Sequence, residues 1–361
     1  MGKHFVDDKE ETYKVKDKKG GKGKKIFLRI LVVFLMILAV LAGIATYFVG
    51  DKLGKINKET IDETAIGLTE ETNKALSGYR NIALLGIDSR EDDYGVGNRS
   101  DCIIIASINQ KTKDIKLISV YRDTYMQIEE NGKSRLDKVT HAYSYGGAQN
   151  ALKALNTNLD LNITEYVTVN FDAVIVAVNA LGGVEINIDS EELKYINSYI
   201  DATSSSSGVS STHITKTGTQ TLDGVQAVAY SRIRYTSGGD YKRTERMRTV
   251  IEAMMKKAKT LSISRLNSFA DTILPRISTN ISAGEILALI PSIASFNITE
   301  SLGWPYETKG ITLDRWYGVP VTLESNVKKL HQEAFEQEDY EVSETVKSIS
   351  EQIINKTGYT D

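Results

Sequence analysis

Asn81-Ile82-Ala83-Leu84-Leu85-Gly86-Ile87-Asp88 is a short apolar run that stops at a carboxylate. Two runs of the same texture follow, Cys102-Ile103-Ile104-Ile105-Ala106 and Ile115 to Val120. Short β-branched runs bounded by turn residues read as strands buried on both faces. Helical spacing alternates with them over Ala142 to Leu155, Phe171 to Leu181 and Tyr241 to Lys259. Leu181-Gly182-Gly183 closes one helix ahead of a strand at Val184 to Ile188. Strands alternating with helices predict an α/β fold, a three-layer α-β-α domain with a mixed central sheet. Amphipathic segments at Leu266 to Leu274, Ala283 to Ala294 and Leu323 to Phe335 complete a domain over 79–338. The Ser-rich stretch from Thr203, extending to about Thr217, reads as a mobile surface loop. Residues 339–361 read as a polar, frayed C-terminal tail.

The N-terminal part has a different texture. Ile30 to Gly50 carries no charged side chain and is mostly Leu, Ile, Val, Phe and Ala. A run near 20 residues is the length a bilayer core requires of a helix, so 26–50 is predicted to span a membrane. Lys14, Lys16, Lys18, Lys19, Lys22, Lys24, Lys25 and Arg29 crowd one flank, and the first charge on the other is Asp51. Basic flanks stay cytoplasmic, which puts the 1–25 tail inside and the large domain outside the cell. A cleaved signal peptide needs a shorter apolar region and a small-residue cleavage site, which Asp51-Lys52-Leu53-Gly54 does not offer. Residues 51–78 then read as a juxtamembrane stalk.

Charge narrows the partners. The chain holds 44 basic and 47 acidic residues, and the tail through Arg29 takes 10 of the former and 5 of the latter. The outer part keeps 34 against 42, a formal charge near −8, which argues against nucleic acid. The basic tail suits anionic membrane lipids. A single cysteine, Cys102, leaves a disulfide-free outer domain that depends on its core. His4, His141, His213 and His331 lack zinc spacing, and neither a P-loop nor a G-x-S-x-G pattern occurs.

Charged residues cluster at the ends of the apolar runs. Asp88 ends one predicted strand, and Arg99 and Asp101 open another at a spacing that shares a face. Tyr121-Arg122-Asp123-Thr124 ends a third, and ligands of α/β sheets gather at strand ends. Arg232, Arg234, Arg243, Arg246 and Arg248 fall within 17 residues of an acidic domain. Arg232 and Arg234 share a face if extended, and Arg243 and Arg246 if helical. The guanidinium fork matches phosphate oxygens, so the cluster points to a phosphorylated ligand. The carboxylates suggest a divalent metal bridging phosphates; turn capping and surface ion pairs are the competing explanations.

These strings together resemble the LytR-CpsA-Psr family of bacterial envelope proteins. The resemblance rests on Gly86-Ile87-Asp88-Ser89-Arg90, Arg99-Ser100-Asp101, Ser119-Val120-Tyr121-Arg122-Asp123-Thr124, Ala142-Tyr143-Ser144-Tyr145-Gly146-Gly147, Leu181-Gly182-Gly183-Val184, Leu222-Asp223-Gly224, Tyr230-Ser231-Arg232-Ile233-Arg234 and Gly239-Asp240-Tyr241-Lys242-Arg243-Thr244-Glu245-Arg246. It implies a phosphotransferase that moves a glycopolymer, such as teichoic acid or capsule, from a polyprenyl diphosphate carrier to peptidoglycan. It implies Mg²⁺ at Asp88 and Asp101, and diphosphate contacts from Arg99, Arg122, Arg232, Arg234 and Arg243. Arg246, on the helical face of Arg243, joins the expected diphosphate set. Asp101 or Asp123 would accept the hydroxyl proton, and Asp123 would equally orient Arg122. Met247 stands where the family usually has Gln, and Tyr121 where Pro is frequent. Two other activities share these residues: hydrolysis of the same diphosphate, and non-catalytic binding of lipid diphosphates in the envelope.

Overall fold

The chain divides into two units, Met1–Asp51 and Lys52–Asp361. The computed structural model describes residues 60–89 and 93–360. The predicted basic tail, the membrane-spanning helix and the first part of the stalk lie outside the described residues. No helix among the described residues is long and apolar enough to cross a membrane.

In chain order the elements are α1 (Glu70–Ala75), β1 (Tyr79–Ile87), β2 (Ser100–Asn109), β3 (Asp114–Val120), β4 (Tyr125–Glu130), β5 (Lys133–Lys138) and α2 (Thr140–Leu159). Then come β6 (Glu165–Val169), α3 (Phe171–Leu181), β7 (Val184–Ile188), α4 (Ser190–Ser207), β8 (Gly218–Leu222), α5 (Gly224–Arg232), α6 (Gly239–Ala258) and α7 (Ile263–Ile273). The last are β9 (Ser278–Thr279), α8 (Ala283–Leu289), β10 (Asn297–Trp304), β11 (Thr308–Thr312), β12 (Trp316–Pro320), α9 (Leu323–Phe335) and α10 (Glu344–Thr357).

Six strands form the central sheet in the order β10-β3-β2-β1-β6-β9. β2 is antiparallel to β1 and β3, whereas β6 runs parallel to β1 and β10 parallel to β3, so the sheet is mixed as expected. Side chains alternate across the pleat. Leu85, Ile103, Ile105 and Ile118 meet α2, α9 and α10 on one face. Ile104, Ala106, Ile115 and Leu117 meet Met247 and Ile251 of α6 on the other. The three apolar runs are therefore buried on both faces because helices cover both. A second core joins α3, α4, α5 and α6 to the β7–β8 hairpin.

A glycine sets how closely two of these helices approach. A Cβ on Gly224 would sit 2.1 Å from the carbonyl oxygen of Ile175. Only hydrogen there lets the start of α5 lie on the backbone of α3. Gly224→Ala is expected to cost about 1–3 kcal/mol, the usual penalty of overpacking. Urea unfolding checks it, and an unchanged midpoint contradicts this account.

Three boundaries need correction. The supposed stalk is already part of the domain from about residue 60: Ile66 and Leu76 are fully buried, and the Asn156 amide donates to the Ile66 carbonyl at 3.0 Å. The polar tail is instead the helix α10. Val346, Ile349 and Ile353 recur at helical spacing and are buried in the main core. Burial of each such side chain is worth about 1.5–3 kcal/mol, which outweighs fraying of an otherwise polar segment. The Ser-rich loop also starts later than expected. α4 runs on through Ser207 because Ile196, Ile200 and Thr203 continue one buried stripe, and Gly208 in the left-handed conformation ends it.

Candidate active site

The antiparallel β1-β2-β3 meander brings the ends of β1 and β3 to the start of β2. Asp88, Asp101, Arg122 and Asp123 therefore emerge at one edge of the sheet, although 35 positions separate the first from the last. The turn after β3 is tied down by its backbone. Thr140 N–H donates to the Arg122 carbonyl at 3.1 Å, and Gly318 N–H to the Asp123 carbonyl at 3.0 Å. The Thr140 hydroxyl donates to the carbonyl of Ser100, beside Asp101, at 3.0 Å.

Arg122 is the centre of this group. Its Nη1 lies 2.6 Å from Asp101 Oδ1 and its Nε 3.7 Å from Asp123 Oδ2. Lys138, at the end of β5, holds the other Asp123 oxygen at 2.8 Å. From the opposite side, the loop after α5 and the first turn of α6 bring in Arg234, Asp240 and Arg243. Asp240 Oδ1 is 2.9 Å from Arg243 Nη2 and 3.9 Å from Arg234 Nε. Arg243 is almost fully buried, and its Nε has no hydrogen-bond partner among the described residues. A buried guanidinium with an unused N–H is unsatisfied until an acceptor arrives.

Burial sets the proton affinities here. It raises the Asp101 carboxyl above the usual range, against the pull of Arg122 and Arg234, and Asp88 and Asp123 push the same way. Burial likewise raises Asp240, against Arg122 and Arg234. Burial alone would weaken the hold of Arg122 on its proton, but Asp101, Asp123 and Asp240 reverse this and raise it. Each acid is thus held near a cation that only partly compensates its lost hydration.

Beside the cluster an apolar cavity of about 280 Å³ runs between the sheet and α3, α6 and α7. Leu85, Ile87, Val228, Val250, Met254 and Phe269 form much of its wall, and Asp101 is among its few polar residues. Met247 also lines it, so the residue standing where Gln was expected contributes apolar surface rather than a polar contact. Cys102 belongs to the same wall, and burial pushes its thiol up to about 12, far from a reactive thiolate.

The arginine-rich window divides. Arg234 and Arg243 face the acids. Arg232 stacks over Phe171, a cavity residue, at 5.0 Å and donates to the Thr203 hydroxyl at 3.0 Å. Arg246 does not join the group: its guanidinium is buried, with Nε 2.8 Å from Glu192 Oε1, Nη1 donating to the Ile233 carbonyl and Nη2 to the Thr236 hydroxyl. Each of its three nitrogens is already engaged, so its expected diphosphate contact is withdrawn. Arg248 is buried and donates to the Ser301 hydroxyl of β10 at 2.8 Å. Arg99 and Asp88 are exposed beside the site. Sequence reading assigned no role to Lys138 and Asp240. Asp240 stands three residues before Arg243 on one helix, which was a usable signal; Lys138 arrives through a hairpin that carries none.

A model of the LytR_cpsA_psr family matches residues 46–333. The chain is 34% identical over 262 residues to the polyisoprenyl-teichoic acid--peptidoglycan teichoic acid transferase TagU of Enterococcus faecalis, covering 72% of this chain and 78% of that protein. It is 31% identical over 306 residues to the corresponding transferase TagT of Bacillus subtilis, covering 81% and 90%. Among solved structures it resembles TagT bound to LIIa-WTA, with a TM-score of 0.54 and 26% identity over 79% of this chain and 92% of that one.

Proposed function

The chain belongs to the LytR-CpsA-Psr family, and from that premise we propose that it transfers a glycopolymer from a polyprenyl diphosphate carrier to a peptidoglycan hydroxyl. The observation that carries this reading is the junction at Asp101: an apolar cavity meets a group of arginines and carboxylates. A lipid with a diphosphate head needs both, and the relatives are named for teichoic acid transfer to peptidoglycan.

In this reading the prenyl chain enters the cavity and the diphosphate lies against Arg122, Arg234 and Arg243, with Arg99 and Arg232 at its margins. A peptidoglycan hydroxyl attacks the phosphorus next to the glycan, the bond to the bridging oxygen breaks, and lipid monophosphate leaves. Fixed guanidinium groups oppose the charge moving onto the leaving oxygens without reorganising, which is where most of the rate arises. Asp123, held by Lys138 and Arg122, takes the proton of the hydroxyl. Mg²⁺ is part of the proposal. Asp88 raises the proton affinity of Asp101, a repulsion that a divalent cation relieves, and Mg²⁺ commonly takes one or two carboxylates alongside phosphate oxygens. No group of three metal-binding side chains is gathered among the described residues, so the substrate would have to complete the coordination. When bound, Mg²⁺ supplies charge neutralisation on the phosphates. We further propose that residues 26–50 form a single-pass anchor with the domain outside.

Incubation with a lipid-linked donor and peptidoglycan is expected to give polymer attached to peptidoglycan. Free polymer alone, with water as acceptor, would replace transfer by hydrolysis. The cavity gives a second check. Ala177 lines it and is nearly buried, so Ala177→Phe fills part of the slot. Relative use of long-chain over short-chain prenyl diphosphate donors is expected to fall roughly tenfold, the effect of losing contact for about two methylenes. An unchanged ratio would place the lipid elsewhere.

A further inference from the structure

Away from the apolar cavity, the charged cluster borders a small cleft of about 40 Å³. Tyr121, Asp123, Asp240, Tyr241, Thr308 and Trp316 line it. Trp316 is one of two tryptophans in the chain. Trp304 is fully buried, whereas Trp316 is 47% exposed. Its indole lies on the β11–β12 hairpin. A Cβ on Gly310 would come within 2.8 Å of Trp316 Nε1, and one on Gly318 within 3.5 Å of Cη2. Two glycines thus let the ring lie against the hairpin with nearly half its surface open. Tyr241 is also exposed, and its ring stands edge-on to Tyr121 at 4.5 Å. The hairpin is fixed relative to the reacting groups by the bond from Gly318 N–H to the Asp123 carbonyl.

We propose that this cleft binds the acceptor glycan, with the Trp316 indole stacked on a neutral N-acetylated sugar. The inference rests on the transferase reading and adds a subsite to it. Rigid, half-exposed aromatic rings offer an apolar face to sugar C–H groups, and the Asp123 and Asp240 carboxylates accept from sugar hydroxyls. The charged side chains lining the cleft are those two acids. Both acids already have cationic partners, Asp123 in Lys138 and Arg122 and Asp240 in Arg243, so the cleft carries little net charge and suits an uncharged sugar. Position agrees. Arg122 pairs with Asp101 at the cavity and with Asp123 at the cleft. A nucleophile from the cleft therefore approaches from the side away from the lipid, as in-line displacement requires.

Two measurements on the full-length chain test this. The first titrates tryptophan emission with N-acetylchitotetraose. Trp304 has no exposed surface, so a saturable blue shift reports Trp316, and a glycerol phosphate oligomer is expected to leave the spectrum unchanged. The second is transfer kinetics. Trp316→Ala is expected to raise the KM for the acceptor glycan roughly tenfold with kcat and donor KM unchanged, the signature of lost uniform binding. Trp316→Phe is expected to restore most of it. A flat titration, a shift with the glycerol phosphate oligomer instead, or an unchanged acceptor KM overturns the proposal. If transfer proceeds but Trp316→Ala does not alter it, the subsite falls and the transferase stands. If the wild type transfers nothing, the transferase reading fails by itself and the emission titration decides the glycan site.

Discussion

Arg122→Ala is expected to lower glycopolymer transfer by roughly 10²–10³-fold, the usual cost of removing one preorganised donor at a developing oxyanion. The expectation rests on position. Among the described residues, Arg122 is the one guanidinium paired with both Asp101 and Asp123. Its loss removes the proposed phosphate contact and leaves Asp101 without its ion-pair partner. Lysine should not rescue it, because a single ammonium cannot reproduce the planar fork. The pH dependence gives an independent reading. Burial holds the Asp101 carboxyl above its ordinary value, and Arg122 is the strongest influence pulling it down. Without Arg122 the metal-free carboxyl is protonated at higher pH, which a carboxyl titration followed by NMR checks. Arg122 is partly exposed, so the fold should survive, which thermal melting checks. Transfer within a few-fold of wild type would remove Arg122 from the mechanism.

The second large effect is on stability. Arg246→Ala is expected to cost about 3–5 kcal/mol, the penalty for leaving a buried charge without its partner. The orphan would be Glu192, whose side chain is 4% exposed. Glu192 also caps α4 by accepting from Asp189 N–H at 3.0 Å, so the strain falls on a helix end as well. Arg246 further clamps Ile233 and Thr236, on either side of Arg234, so activity should fall together with the denaturation midpoint. Replacing Arg246 and Glu192 together with apolar residues should recover much of the stability, since the pair is costly to bury even when matched. Urea unfolding of the three variants separates these outcomes. A loss below about 1 kcal/mol for Arg246→Ala would return this arginine to the ligand-binding set.

Arg243 and Arg246 show what a sequence can and cannot say about such a site. Their spacing correctly put them on one helix, but the destination of a long side chain depends on a partner far away in the chain. Glu192 lies 54 positions before Arg246, and no local pattern announces it. The central strands were legible because burial on both faces leaves an uninterrupted apolar run. β10 was not: Asn297-Ile298-Thr299-Glu300-Ser301-Leu302-Gly303-Trp304 is an edge strand with mixed exposure, and it reads as neither alternation nor a run. α10 was misjudged because its polar residues outnumber its core contacts, although Val346, Ile349 and Ile353 carried the helical period. Asp101, Arg122 and Asp123 were recognisable as strand-end charges. That they meet follows from the meander, which only the sheet order reveals.

The walls of the apolar cavity are also pieces of the cores. Leu85 and Ile87 hold the sheet to its covering helices, and Val228 and Val250 join α5 to α6. A substitution that reshapes the slot therefore also repacks the domain, and close-packed interiors tolerate that poorly. Trp316 stands on a two-stranded hairpin outside the central sheet, where a change disturbs little else. Substitutions are thus better tolerated at the hairpin rim than at the cavity wall. If the proposed sites hold, the glycan such a fold joins can be changed without unfolding it, whereas the carrier it accepts cannot.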